Sequence, residues 1–179
     1  MDKKQTRQQA LDLLNAGTPN SQIFESLRGG ALKDKALAAL LANHPDPQLY
    51  QRHRWKVIGV LAIMILQGLL AAVVGFVLGA NIGPTAIWLM PLAFAAVPFM
   101  LAYGVYRNRA ACYSVYFLLN VSQFHRVFEG FSEAPITTSI SVLIGFAVLL
   151  YVFYVKSLLF PDLLLMTAKK IKGQYVFSR

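Results

Sequence analysis

Apolar and polar residues fall along this chain in long blocks. Val57–Gly79, Thr85–Val105 and Thr137–Val155 contain no Asp, Glu, Lys, Arg or His. Each block is close to the twenty or so residues with which an α-helix crosses about 30 Å of hydrocarbon. The pattern therefore predicts membrane spans over 57–79, 85–105 and 137–155. A fourth block, 111–131, is apolar but interrupted: "FLLNVSQFHRVFEG" (Phe117–Gly130) carries Asn120, Ser122, Gln123, His125, Arg126 and Glu129. On a helix, Asn120, Gln123, Arg126 and Glu129 advance in steps of three and form a drifting polar stripe, with Phe117, Val121, Phe124 and Phe128 opposite.

Charge decides how that fourth block is read. Nine basic residues precede the first span: Lys3, Lys4, Arg7, Arg28, Lys33, Lys35, Arg52, Arg54 and Lys56. Arg107 and Arg109 follow the second, and Lys156, Lys169, Lys170, Lys172 and Arg179 close the chain. Lys and Arg favour the cytoplasmic flank of a span. With four spans, every basic residue except Arg126 falls on that flank. If 111–131 lay flat instead, the five basic residues of the tail would be translocated. Arg126, fifteen residues into the span, stands about 22 Å along the helix axis. There it can snorkel to the outer interface and pair with Glu129. The expectation is an all-α polytopic membrane protein with four transmembrane helices (57–79, 85–105, 111–131 and 137–155) and both termini cytoplasmic, in the inner membrane.

Outside the spans the pattern is shorter. Residues 1–50 read as a cytosolic head of three helices: Thr6–Asn15, a second opened by Thr18–Pro19 with Ile23, Phe24 and Leu27 as its apolar stripe, and a third over Leu32–Asn43. Three helices of this size have a thin core, so Ile23, Phe24 and Leu27 are candidate partner-docking residues. A basic-aromatic linker, 51–56, brings Arg52, Arg54, Trp55 and Lys56 to anionic headgroups. Residues 157–179 read as an interfacial basic tail, its helix breaking at Pro161. Leu163–Met166 would face lipid there, and Lys169, Lys170 and Lys172 the phosphates.

Within the spans, Gly68, Ala72, Gly75 and Gly79 line one face of the first, and Pro91, Ala95, Pro98 and Ala102 one face of the second. Small residues in such stripes let helix backbones approach closely. Gln67 is placed to hydrogen-bond to a neighbouring helix.

Candidate chemistry is sparse. Cys112 is the lone cysteine, which leaves no intramolecular disulfide and no cysteine-rich metal site. His125 and Glu129 alone make an incomplete ligand set, so neither a metal nor a cofactor is expected. No phosphate-cradling glycine loop or nucleophile–histidine–carboxylate set is present, so no catalytic residue is assigned. Positive-inside anchoring accounts for the basic residues without nucleic acid. The expected function is a non-enzymatic membrane protein that binds a protein partner, or a second copy of itself, in an assembly, regulatory or toxin-immunity role. A small transporter or channel using the polar stripe is the second reading, and an intramembrane lipid-modifying enzyme the third.

Overall fold

The computed structural model describes residues 2–44, 47–127 and 135–178, with the backbone alone for Pro47 and for 124–127. The fold is helical apart from two small hairpins. Helices α1 (Lys3–Asn15), α2 (Asn20–Leu27) and α3 (Asp34–Ala42) form the head. Helices α4 (Pro47–Ile82), α5 (Ala86–Tyr106), α6 (Ala110–Val127) and α7 (Pro135–Leu159) form a bundle. Among the described residues, α4, α5 and α7 are long and apolar enough to cross a membrane. The interrupted α6 does not join them on that criterion.

Local chemistry explains the helix ends. Asp2 caps α1 in a capping box: its carboxylate accepts from the Lys3 amide at 2.6 Å, and the Gln5 side chain accepts from the Asp2 amide at 3.1 Å. The α1 start thus precedes the expected Thr6. Helix α4 absorbs the expected 51–56 linker. It runs on from Pro47 through a single non-helical residue, His53, into the long apolar stretch.

In the bundle, α4 packs against α5 and α7, and α6 against those same two helices, which closes a ring of four. The core gathers at the end nearest the head, where Val57, Val60, Met64, Val105, Tyr113, Tyr116, Val152 and Val155 are buried. Farther out, α4 and α5 form a hairpin whose outward side chains, among them Val73, Val77, Leu89 and Leu92, are exposed. That apolar exposure is what a lipid-facing helix pair presents.

The tail departs from the expected interfacial helix. α7 ends at Leu159, and Pro161 follows. Beyond it β1 (Leu163–Leu164) pairs antiparallel with β2 (Thr167–Ala168), and β3 (Lys170–Ile171) with β4 (Gln174–Tyr175). Lys172 and Gly173, both with positive φ, supply the two-residue turn that matches strand twist in a tight hairpin. The run Leu163–Met166 is therefore not one lipid-facing helical stripe: Leu163 is buried, and Leu164 and Met166 are exposed.

Candidate functional site

Two places gather polar or unusual groups: the junction of head, tail and bundle, and the interior of the bundle.

At the junction the hairpins lie on the head. The Phe24 ring meets Tyr175 edge-on, with centroids 5.5 Å apart, and Phe177 at 5.3 Å. Asp162 fastens the tail to the head. Its carboxylate accepts from the Asn20 side-chain amide at 3.2 Å and from the Ser178 backbone amide at 2.6 Å, while its own carbonyl accepts from Lys169 at 2.8 Å. With the side chain buried, such charge-assisted bonds are about twice as strong as neutral ones. Ser114 of α6, fully buried, donates to the Leu165 carbonyl and holds β1–β2 to the bundle.

This arrangement corrects the docking expectation. Ile23 and Leu27 are buried and Phe24 is 6% exposed; they are the internal core under the tail rather than a free surface. The three-helix head is too small to satisfy its own apolar stripe, and residues 163–177 complete it.

Between α1 and α3 the head leaves an open groove of about 460 Å³ lined by Arg7, Leu32, Ala36, Ala39, Leu40, Asn43 and His44. Burial pushes the His44 pKa below its ordinary value, because removal from water disfavours the charged imidazole. Arg7 is exposed and forms no ion pair among the described residues; Arg28–Asp34, at 3.6 Å, is the pair found there.

Inside the bundle, the two small-residue stripes meet. Gly68 faces the Phe99 ring, where an added Cβ would lie 3.1 Å from it. At Gly75 a Cβ would come within 2.7 Å of the Met90 carbonyl oxygen, and at Gly79 it would overlap the Ala86 carbonyl. Ala95 and Ala102 are buried, and Ala72, Pro91 and Pro98 half-buried, while the residues beside them on α5 are mostly exposed. Both prolines sit within a helix that stays continuous from Ala86 to Tyr106.

Gln67 accepts from the Tyr116 hydroxyl at 2.6 Å and so joins α4 to α6. Interhelical bonds of this kind contribute about 0.6 kcal/mol on average in membranes, up to about 2. Of the polar stripe, half-buried Asn120 donates to the Tyr116 carbonyl of its own helix at 2.9 Å, and Gln123 is exposed. The Arg126 side chain and Glu129 lie outside the described residues, as does the pairing expected between them.

Of the expected headgroup residues, Trp55 is 83% exposed and Arg52 and Arg54 are exposed. Lys56 instead turns to α7, donating to the Tyr154 hydroxyl at 2.9 Å with its ammonium 4.7 Å from that ring's centroid. Lys169, Lys170 and Lys172 are exposed on the hairpins, with Lys170 4.4 Å over the Tyr175 ring. Sequence reasoning missed three contacts. Gly59 makes room for the Tyr151 hydroxyl, which donates to the Lys56 carbonyl at 3.1 Å. Gly104 accommodates the Cys112 thiol. Lys156, read as a flanking cation, is 2% exposed with the Phe153 ring 5.7 Å from its ammonium. Isolated glycines inside an apolar run signalled the first two; nothing local signalled the third.

No group of three or more His, Cys, Asp or Glu side chains converges among the described residues. The class these features define is a helical protein with three helices fit to cross a membrane. Comparison with protein-family models, curated proteins and solved structures finds no match to this chain.

Proposed function

We propose that this chain is a non-enzymatic, four-span protein of the cytoplasmic membrane, with head and tail together in the cytoplasm, that binds a protein partner. The contact between head and tail carries the topology. Phe24 rests on Tyr175 and Phe177, and Asn20 bonds to Asp162, so the two ends of the chain share one side. Three crossings would separate them; an even number keeps them together. Helix α6, eighteen residues long and packed against α5 and α7, supplies the fourth crossing at about 27 Å. The positive-inside distribution supports the same arrangement independently.

Partner binding is favoured because the polar side chains that bond within the bundle are spent on packing, the buried Tyr113 hydroxyl being left without a hydrogen-bond partner among the described residues. Gln67, Tyr116, Asn120, Lys56 and Tyr154 bond to neighbouring helices or to their own backbone. The head is held to the tail through Asn20–Asp162, and the tail to the bundle through Ser114, and it presents the α1–α3 groove. Single cysteines at Gln22, Ser132 and Gly173 in a Cys112→Ser background test the topology. An impermeant maleimide applied to intact cells labels Ser132 alone; labelling of Gly173 overturns the arrangement. Purification of the full chain in mild detergent retains a second membrane protein in comparable amount, and recovery of a bare monomer refutes partner binding.

A further inference from the structure

Helix α3 is apolar on more sides than the fold covers. Leu37, Ala38, Leu41 and Ala42 are buried in the head, yet Ala36 is exposed, and Ala39 and Leu40 only half-buried, along the open groove. Asp34 and Lys35 are its only ionisable residues. A helix apolar all round is ordinarily enclosed. Ala36 and Ala39, three apart, form a shallow floor between Leu32 and Leu40, and small side chains on such a floor let a second helix lie close.

The groove's rim is cationic. Arg7 lines it without an ion-pair partner among the described residues. By helical spacing Lys3 stands one turn before Arg7 on α1, and Lys35 one turn before Ala39 on α3. Among the described residues the nearby carboxylates are engaged elsewhere: Asp34 pairs with Arg28 and accepts from the Gly29 amide, and Asp2 caps α1. We infer that the α1–α3 groove receives an acidic amphipathic helix of a partner protein, its apolar ridge on Ala36, Ala39 and Leu40 and its carboxylates on Arg7 and the rim lysines.

Charge complementarity selects that occupant. A second copy would bring cation against cation, and no described helix of this chain carries more than one acidic residue. The chain's own tail already occupies the α2 side of the head. Helix-in-groove recognition of this kind uses apolar anchors at i, i+3 or i+4, and i+7.

This inference rests on the partner-binding reading above and names its site. A benzophenone amino acid placed singly at Ala36, Ala39, Gln22 or Val97 of the full chain, irradiated in cells, tests both. Ala36 and Ala39 give an adduct whose attached peptide, by mass spectrometry, carries acidic residues along one face of an apolar helix. Arg7→Glu lowers its yield at least fivefold, Arg7→Lys retains at least half, and circular dichroism of both variants matches the parent. An adduct indifferent to Arg7→Glu, or one formed with phospholipid or a second copy of this chain, overturns the inference. Protein adducts from Val97 or Gln22 but none from Ala36 or Ala39 overturn the groove and leave partner binding standing. No protein adduct at any position refutes both.

Discussion

Replacing Phe24 by alanine separates the two roles that its stripe can play. Phe24 is 6% exposed, within a core that includes Ile23, Leu27, Leu37 and Leu41, and its ring meets both Tyr175 and Phe177. Removing a buried phenylalanine side chain costs about 3–5 kcal/mol, through lost transfer energy and the cavity left behind. Of that, each aromatic pair accounts for about 0.5–1.5 kcal/mol beyond area burial. Head and tail together hold about sixty residues, for which a total stability of about 3–9 kcal/mol is ordinary. Phe24→Ala therefore removes a third or more of the stability of the combined head and tail.

Hydrogen exchange of the full chain in nanodiscs reads this directly. A loss of 3 kcal/mol raises the opening population by more than a hundredfold, since about 1.4 kcal/mol is tenfold. Amides of α2 and of β3–β4 should lose protection together, while those of α4 and α5 stay unchanged. The double variant Phe24→Ala/Phe177→Ala should destabilise by less than the sum of the singles, by about 0.5–1.5 kcal/mol. If β3–β4 exchange is unaltered and only partner binding falls, Phe24 is a docking residue and the assignment of the tail as its cover is wrong.

Two further predictions test other parts of the fold. Gly79→Leu places a side chain against the Ala86 carbonyl, and a backbone atom cannot rotate away; the α4–α5 hairpin should open, with a lower thermal midpoint in detergent, whereas Ala80→Leu, on the exposed side, should be neutral within about 0.5 kcal/mol. His44, with its pKa lowered by burial, binds a proton more readily in the unfolded head, so head stability should fall as the pH drops through about 6.5 and level off below the folded-state pKa. Exchange protection of α1–α3 measured between pH 7.5 and 5 should show this slope, and His44→Gln should flatten it; a slope unchanged by that substitution rules His44 out as its source.

Much of the bundle could be read without coordinates because lipid imposes long-range order on a local pattern. Uncharged runs of twenty residues have few alternatives to α4, α5 and α7. The small-residue stripes could be read for the same reason: Gly75 and Gly79 repeat at helical spacing, so their common face follows from geometry alone. The tail was harder. Leu163–Met166 is a short apolar run, which periodicity cannot assign to helix or strand. The usable signal lay in "KGQYVF", where Lys172–Gly173 suits a two-residue turn and Tyr175 and Phe177 alternate with polar or exposed positions. That these rings would cover Phe24, some 150 residues earlier, is information no local window holds.

The groove shows the same limit from the other side. "ALAALLA" (Ala36–Ala42) reads as a core helix, and Leu37, Ala38, Leu41 and Ala42 do point inward. Yet a helix nine residues long with so few polar positions has more apolar surface than a three-helix head can enclose. That excess predicts a second contact for the head. The first, with the tail, satisfies α2 and one side of α3. The face of α3 toward Arg7 remains open, although filling it would require only larger residues at Ala36 and Ala39. Alanine at both positions keeps the floor low beside Arg7, which has no ion-pair partner among the described residues, and an apolar trough with a positive rim is the shape that the proposed partner helix would fill.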